Sequence, residues 1–429
     1  MARMTEINTP ATPAQSSFSS YQTFVVVVLA FLQFTIVLDF MLLAPLAALV
    51  IPQLKITTSQ FGMVVSAYAL SAGVSGLLAA GFADRYDRKK LLMFFYVGFL
   101  IGTLLCGLAS SYRLLLLARM VTGVFAGGVG SAAFAIVTDL FPFQMRGRVM
   151  GVLQTAFAAS SVLGIPFGLF LSNRWGWNAP FFLTAATGAV VGVAIQAKLR
   201  PINEHLKHHP DRNPLHHLLH TVSNRSYIPG FLATGTLSLG GFMLMPFTSV
   251  FVVNNVGLPI EKLPLVYMIT GAVSIVTGPL IGWAGDAFGK LRVFAFGCAV
   301  TIVMVVIYTH LGKVGLAMLV FVTVLLQVGI FSRMISSSAL TSALPAPGDR
   351  GSYMSISSSL QQAAGGIAAL IAGKIVVQTD AGELLHFDTL GYLLICTTLI
   401  SLTLMYFIDR RVRGAGSAAA PVLEAPAPP

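Results

Sequence analysis

Apolar residues fall in twelve long runs separated by short polar breaks. The runs cover residues 23–50, 61–83, 91–110, 113–138, 149–171, 179–197, 228–253, 265–285, 293–311, 314–337, 354–377 and 389–408. Stretches of about 18 or more apolar residues with almost no charge read as membrane-spanning helices. The runs are continuous rather than alternating, which predicts helices and not the strands of a barrel. The first run is too long for a signal peptide, and no small-residue cleavage site follows it, so it is expected to stay in the protein. The pattern predicts an all-α membrane protein with twelve transmembrane helices.

Composition agrees. Of 429 residues, 56% are hydrophobic and 10% charged, against about 25% charged in ordinary soluble domains. So few charges cannot cover a solvated surface, and lipid is the expected solvent. The net charge of +11 would suit nucleic acid, but its distribution points to topology instead. With a cytoplasmic N-terminus, eighteen of the 26 Lys and Arg fall in inner segments, among them Arg85, Arg88, Lys89, Lys90, Lys290 and Arg292. Five fall in outer loops, and Arg119, Arg333 and Lys374 remain within spans. This positive-inside bias places both termini in the cytoplasm, and no nucleic-acid partner is expected. Cys106, Cys298 and Cys396 each lie in a predicted helix, so neither a disulfide framework nor a metal cluster is implied.

Residues 198–227 form the longest polar stretch between runs and separate six spans from six. The predicted organisation is a disordered N-terminus (1–22), a first bundle (23–197), a His-rich linker (198–227), a second bundle (228–410) and a disordered tail (411–429). The halves echo each other. GFADRYDRKK (81–90) is matched by GWAGDAFGKL (282–291), and MRGRVMG (145–151) by DRGSYMS (349–355), at offsets of 202 and 204. A duplicated six-helix unit implies two bundles that rock about a midplane site and expose it to each side in turn.

The first of these segments resembles the loop signature between the second and third helices of the major facilitator superfamily. Asp84, Arg85, Arg88 and Lys89 match it, whereas Ala80 and Asp87 stand where glycines are usual. The second-half copy keeps Gly282, Asp286, Gly289 and Lys290. LLLLARMVTGVFAGG (114–128) is similar to the family's fourth-helix motif, with Arg119 and Gly123 at its key positions. SVLGIPFGLFLSNRWGWNAPFF (161–182) resembles the Gly-x-Pro-x-Gly form of the antiporter motif through Gly164, Pro166 and Gly168. That form occurs in drug:proton antiporters, particularly sugar- and nucleoside-efflux-like members. Ile165 occupies the place of the commoner glycine, which favours metabolite efflux over multidrug export. The resemblance implies a two-bundle transporter, not an enzyme. It implies a bacterial inner-membrane protein that works as a monomer on a small-molecule substrate and protons, without cofactor or metal. An importer is the main alternative, and a transport-derived sensor a remoter one.

Asp39 is the acid of the first run, and no cation accompanies it there. A charge at the bilayer centre costs about 2.5–3.5 kcal/mol on insertion scales, so such residues face a cavity or a partner. A carboxyl alternately dry and wetted can take a proton on one side and release it on the other. The resemblance implies that Asp39 and Arg119 couple protons to transport; a structural ion pair is the alternative. It also implies that Asp84, Arg85, Arg88 and Lys89, echoed by Asp286 and Lys290, latch a cytoplasmic gate at the start of the eleventh helix. Simple topology is the alternative for the basic residues. Gly164, Pro166 and Gly168 are expected to kink the fifth helix against the eighth, or merely to allow close packing. Arg333 lies deep in the tenth run and is a candidate for a substrate cavity shared with Asp39 and Arg119. Lys374 is expected to snorkel to the interface, and Asp139 to join Arg146 or Arg148. His216 and His220 stand four apart in EHLKHHPDRNPLHHLLHTV (204–222). No third ligand accompanies them, so a solvated linker lying on the membrane is expected. There is no G-x-x-x-x-G-K-[ST] segment for ATP.

Overall fold

The computed structural model describes residues 18–82, 85–203, 206, 220–346 and 349–418. The remainder of both expected disordered termini, Asp84 and most of the His-rich linker, including His216, lie outside the described residues. The first half contains α1 (Ser20–Leu42), α2 (Ala47–Leu54), α3 (Thr58–Phe82), α4 (Arg88–Gly107), α5 (Tyr112–Leu140), α6 (Phe143–Ala159), α7 (Ile165–Trp175) and α8 (Ala179–Lys198). The second contains α9 (Ile228–Gly241), α10 (Thr248–Val250), α11 (Leu263–Phe288), α12 (Lys290–Thr309), α13 (Leu316–Thr341), α14 (Arg350–Ile375) and α15 (Phe387–Ala418). Between α14 and α15, β1 (Val377–Gln378) and β2 (Leu384–Leu385) form a two-stranded hairpin.

Ten helical segments among the described residues are long and apolar enough to cross a membrane. The other two predicted spans are helical too, and each has a reason for falling short of that measure. The fifth is broken by a π-helical turn at Ser160–Gly164 between α6 and α7. The eleventh, α14, carries a run of Ser and Gln that lowers its hydropathy. The fold is thus all-α, two six-helix bundles crossing a membrane, as the apolar runs predicted.

The helix ends follow local chemistry. Ser19 caps α1 in a capping box with Gln22, so the helix begins three residues before its predicted start. Asp87 caps α4 by accepting from Lys90 N, and Ser111 caps α5. The last helix continues to Ala418, past the predicted end at residue 408. The first predicted run is not one helix: it turns at Leu43–Leu46 between α1 and α2. The seventh turns at the same depth of its own half, between α9 and α10.

The two halves share one core at the end of the bundle that carries neither terminus, called here the far end. Leu42, Leu46, Phe61 and Ile165 of the first half join Phe247, Phe251, Tyr308 and Phe387 of the second. Ser249 Oγ donates to Ala44 O at 2.9 Å, and Thr58 Oγ1 to Val376 O at 2.6 Å, across the boundary. At the terminal end the larger cores are separate: one is built on Phe95, Tyr96 and Phe99, the other on Phe294, Cys298 and Met405. Leu77 of α3 nevertheless packs on a small cluster of Tyr227, Phe231, Tyr353 and Ile356 in the second half.

Small residues bring backbones together where the bundle is tightest. A Cβ on Gly127 of α5 would lie 2.3 Å from Ala72 O of α3. A Cβ on Gly62 of α3 would lie 2.6 Å from Ala369 O and 3.0 Å from Gly373 Cα of α14. The obstacles are backbone atoms, which cannot rotate away. Gly127→Val is therefore expected to lower stability by at least the roughly 1–3 kcal/mol of core overpacking, read as a fall in unfolding temperature in detergent. Gly62→Leu lies between halves and is expected to wedge the far end open instead. A cysteine at the buried Ala44 should then react faster with a membrane-impermeant maleimide; an unchanged rate would count against a closed far end.

Candidate functional site

Asp39 sits three residues before the end of α1, on the face turned to α4 and α5. Arg119 sits two turns into α5 and reaches it. Arg119 Nη1 donates to Asp39 Oδ2 at 2.8 Å and to the Asp39 carbonyl at 3.2 Å. Thr103 Oγ1 of α4 donates to the other carboxylate oxygen, Oδ1, at 3.1 Å. Tyr68 of α3 lies beneath the guanidinium, with its ring centroid 4.3 Å from Arg119 Cζ. Asp39 is 0% and Arg119 1% exposed. Four helices thus enclose a dry ion pair with a cation–π contact on one side.

Around it lie polar groups with capacity to spare. Arg119 Nε and the Tyr68 hydroxyl are buried without a hydrogen-bond partner. The Cys106 thiol lies 3.6 Å from Thr122 Oγ1, which donates to Ala118 O at 2.7 Å. Phe40, next to Asp39, contacts Tyr68 at 5.4 Å between centroids and Phe242 of the second half at 6.0 Å. The pair therefore lies directly behind a ring that touches the opposite bundle. A change in the pair's charge can be felt where the bundles meet.

The sequence reading paired Asp39 with Arg119, and the structure brings them together. Tyr68, Thr103 and Cys106 had not been singled out. A lone hydroxyl or thiol in an apolar run carries no distinguishing signal. Thr103 and Cys106 are three apart and share one face of α4, but that face is recognisable only once Asp39 is placed opposite.

Of the described gate-motif residues, Arg88 and Lys89 make contacts within the first half. Asp84 lies outside the described residues. Arg88 is buried, and its Nε donates to Asp139 Oδ2 at 2.8 Å. Lys89 Nζ donates to Gln196 O at 2.9 Å, and Arg88 N to Ile202 O at 3.0 Å. These contacts tie α4 to α5 and to the end of α8, within the first half, and not to α14. Arg85 and Asp286 are exposed and Lys290 half-buried. Asp139 thus meets Arg88, whereas Arg146 Nε and Nη2 donate to Phe141 O and Thr138 O.

The fifth-span motif also differs in detail. Cβ atoms on Gly164 and Gly168 would lie 2.7 Å from Leu38 Cδ1 and 2.5 Å from Leu42 Cδ1, so the glycines make room for α1 and not for the eighth span, α11. The motif still packs on α11: Val162, inside the π turn, meets Gly271, and α7 lies against α11 as well. Pro166 occupies the first turn of α7, where a missing N–H is tolerated. Ser160 Oγ donates to Phe34 O at 2.8 Å, fastening the turn to α1 one turn before Asp39. Arg333 is buried between α12 and α13, apart from Asp39 and Arg119.

Breaking a buried pair by removing one partner leaves an uncompensated charge, typically worth about 3–5 kcal/mol, whereas replacing both with apolar groups is often neutral. Arg119→Met is therefore expected to destabilise the protein strongly, and Asp39→Leu/Arg119→Met to recover most of that loss. Unfolding temperatures of both single variants and the double variant measure the coupling. Additive losses would deny the pair its energetic unity.

Comparison with known proteins places this geometry. A family model described as Major Facilitator Superfamily matches residues 29–369 and 230–429. The uncharacterized MFS-type transporter YceJ of Bacillus subtilis is 26% identical over 389 residues, covering 88% of this chain and 94% of that protein. Multidrug resistance protein 3 of the same organism is 31% identical over 131 residues, 30% of this chain and 26% of that protein. Among solved structures, a bacterial homologue of the human lysosomal transporter Spinster superposes with a TM-score of 0.71 at 17% identity, covering 93% and 99% of the two chains. The nucleoside transporter NupG gives 0.70 at 14% identity, with coverage of 91% and 100%. At these identities the structures speak to fold alone.

Proposed function

The chain belongs to the major facilitator superfamily, and from that premise we propose that it is a proton-coupled exporter of a small organic solute. The family consists of secondary transporters of small solutes, not enzymes; direction and coupling are the proposal. The observation that carries it is the dry Asp39–Arg119 pair behind the ring that meets the second half.

Protonating Asp39 removes the counter-charge of Arg119 in a place without water. The closed arrangement then loses its advantage, and the state that wets the site gains. When Asp39 faces the compartment of low proton concentration, it releases its proton and re-forms the pair. A solute that binds only the deprotonated state competes with the proton and is carried in the direction opposite to it. On this reading the terminal end faces the cytoplasm of a bacterial inner membrane, and its excess of basic residues supports that sidedness. The shared far-end core is then the closed outer side, and a single chain suffices.

The gate residues fit the same cycle. Arg88 and Lys89 are held within the first half while the main cores of the terminal ends stay separate. They become available to the second half when those ends approach. The fifth-span motif, packed on α1 by Gly164, Pro166 and Gly168, supports export over import by its resemblance to antiporters.

The test uses proteoliposomes with an internal pH dye and a panel of radiolabelled sugars, nucleosides and cationic drugs. The expected result is counter-movement of one solute class and protons under an imposed gradient. Asp39→Asn is expected to reduce gradient-driven flux at least tenfold while leaving solute exchange without a gradient. Co-movement of solute and proton would establish import, and gradient-driven flux indifferent to Asp39→Asn would end the coupling role.

A further inference from the structure

Two grooves lie on the outside of the bundle, at the same place in each repeat. In the second half a groove of about 500 Å³ runs between α11, α12 and α13, walled by Leu280, Trp283, Phe296 and Val328. In the first half one of about 430 Å³ runs between α4 and α5, walled by Met93, Phe94, Val97 and Phe125. Met93 and Phe296 stand 203 residues apart, and so do Phe125 and Val328. That spacing falls between the two offsets of the repeat, 202 and 204, so the groove is a feature of the six-helix unit, duplicated with it. Trp283 and Phe296 in one groove and Phe94 in the other are more than half exposed. Apolar walls exposed on the outside of a membrane-spanning bundle face lipid.

What differs is the cation at the mouth. Lys89 and Arg292 stand at the same 203-residue offset. Lys89 does not line its groove, and its Nζ donates to Gln196 O at 2.9 Å. Arg292 lines its groove, is exposed and makes no ion pair among the described residues. Asp286 is the one acid in α11, α12 and α13. It is two residues from the groove-lining Ala284, about 200° around the helix, so it belongs to the opposite face of α11. The groove therefore ends in a positive charge with no acid beside it on these helices.

Its length is informative. The α11 wall runs from Thr277 to Phe288, about 16 Å at 1.5 Å per residue. One leaflet of hydrocarbon is about 15 Å deep. Arg292, in the first turn of α12, lies at the terminal end of the groove, where headgroups begin.

We propose that this groove binds an anionic phospholipid of the terminal-end leaflet, with one acyl chain along Trp283 and Phe296 and its phosphate on the Arg292 guanidinium. Guanidinium and phosphate form charge-assisted, bidentate hydrogen bonds. A groove that opens to hydrocarbon along a whole leaflet favours a lipid over a soluble anion. The site rests on neither the direction nor the proton coupling proposed above.

The test uses full-length protein carrying Trp175→Phe and Trp177→Phe, so that Trp283 alone reports. It is placed in phosphatidylcholine bilayers containing a rising fraction of dibrominated phosphatidylglycerol or, in parallel, of dibrominated phosphatidylcholine. Bromine on an acyl chain quenches an indole that it touches. The brominated phosphatidylglycerol is expected to associate with Trp283 about fivefold more strongly than the brominated phosphatidylcholine, the effect of one basic residue at a charged lipid surface. Arg292→Gln is expected to bring the two lipids level, and Arg292→Lys to keep part of the preference. Asp39→Asn should leave the preference unchanged even where it abolishes gradient-driven flux. Equal quenching by the two lipids before Arg292 is altered, or a preference that survives Arg292→Gln, would overturn the site. A Trp283 that neither lipid quenches would assign the groove to contact with a second copy of the chain, read as a dimer by ultracentrifugation, and would overturn the lipid as well. If the reporter does not fold, the difference in quenching between the unaltered protein and Trp283→Phe isolates the same residue.

Discussion

A carboxylate and a guanidinium held together out of water are the constraint around which the first half is arranged. Neither Asp39 nor Arg119 can sit in lipid alone, so α1 and α5 must keep them in register at 2.8 Å. The third and fourth helices must close over them to keep the pair dry, which is why glycines on α5 let α3 approach to backbone contact. Thr103 and Tyr68 then take up the remaining lone pairs and the face of the cation. Fold and charge are one problem here: loosening the helices would admit water and weaken the attraction that aligns them.

The second half inherits the same six-helix frame but solves a different problem. Its buried cation, Arg333, has a thiol beside it where the first half has an acid. At the far end the distinction between halves disappears into one core. Towards the termini the main core of each half is its own, and only a small cluster around Tyr353 and Leu77 is shared among the described residues. Duplicated architecture has thus left one half with a self-contained pair and the other with an open valence.

Much of the architecture was legible in the apolar runs, because a membrane span must be long and continuously apolar. Asp39 and Arg119 stood out for the same reason: a charge in such a run needs a partner. What hid was anything set by the distance between segments. The partner of Arg88 is Asp139, fifty-one residues away, and no spacing rule links them. Thr103 and Tyr68 look like filler until α1 is laid beside them. The break at Leu43–Leu46 holds Pro45, a helix breaker that hydropathy alone passes over because proline does not interrupt an apolar run. Gly164 and Gly168 were recognisable as small residues, but only coordinates show that the side chains they accommodate are Leu38 and Leu42.

The paired breaks in the opening helix of each half deserve a mechanical reading. Short tips, α2 and α10, lie beyond them, and Ser249 of α10 reaches across the boundary to the carbonyl of Ala44 in the turn before α2. A jointed tip can swing while the long shaft behind it stays still, much as a fingertip bends without the hand. The far end can therefore breathe by small local pivots that need not disturb the ionic lock at mid-depth, so leakage past the tips and turnover of the lock are separable events.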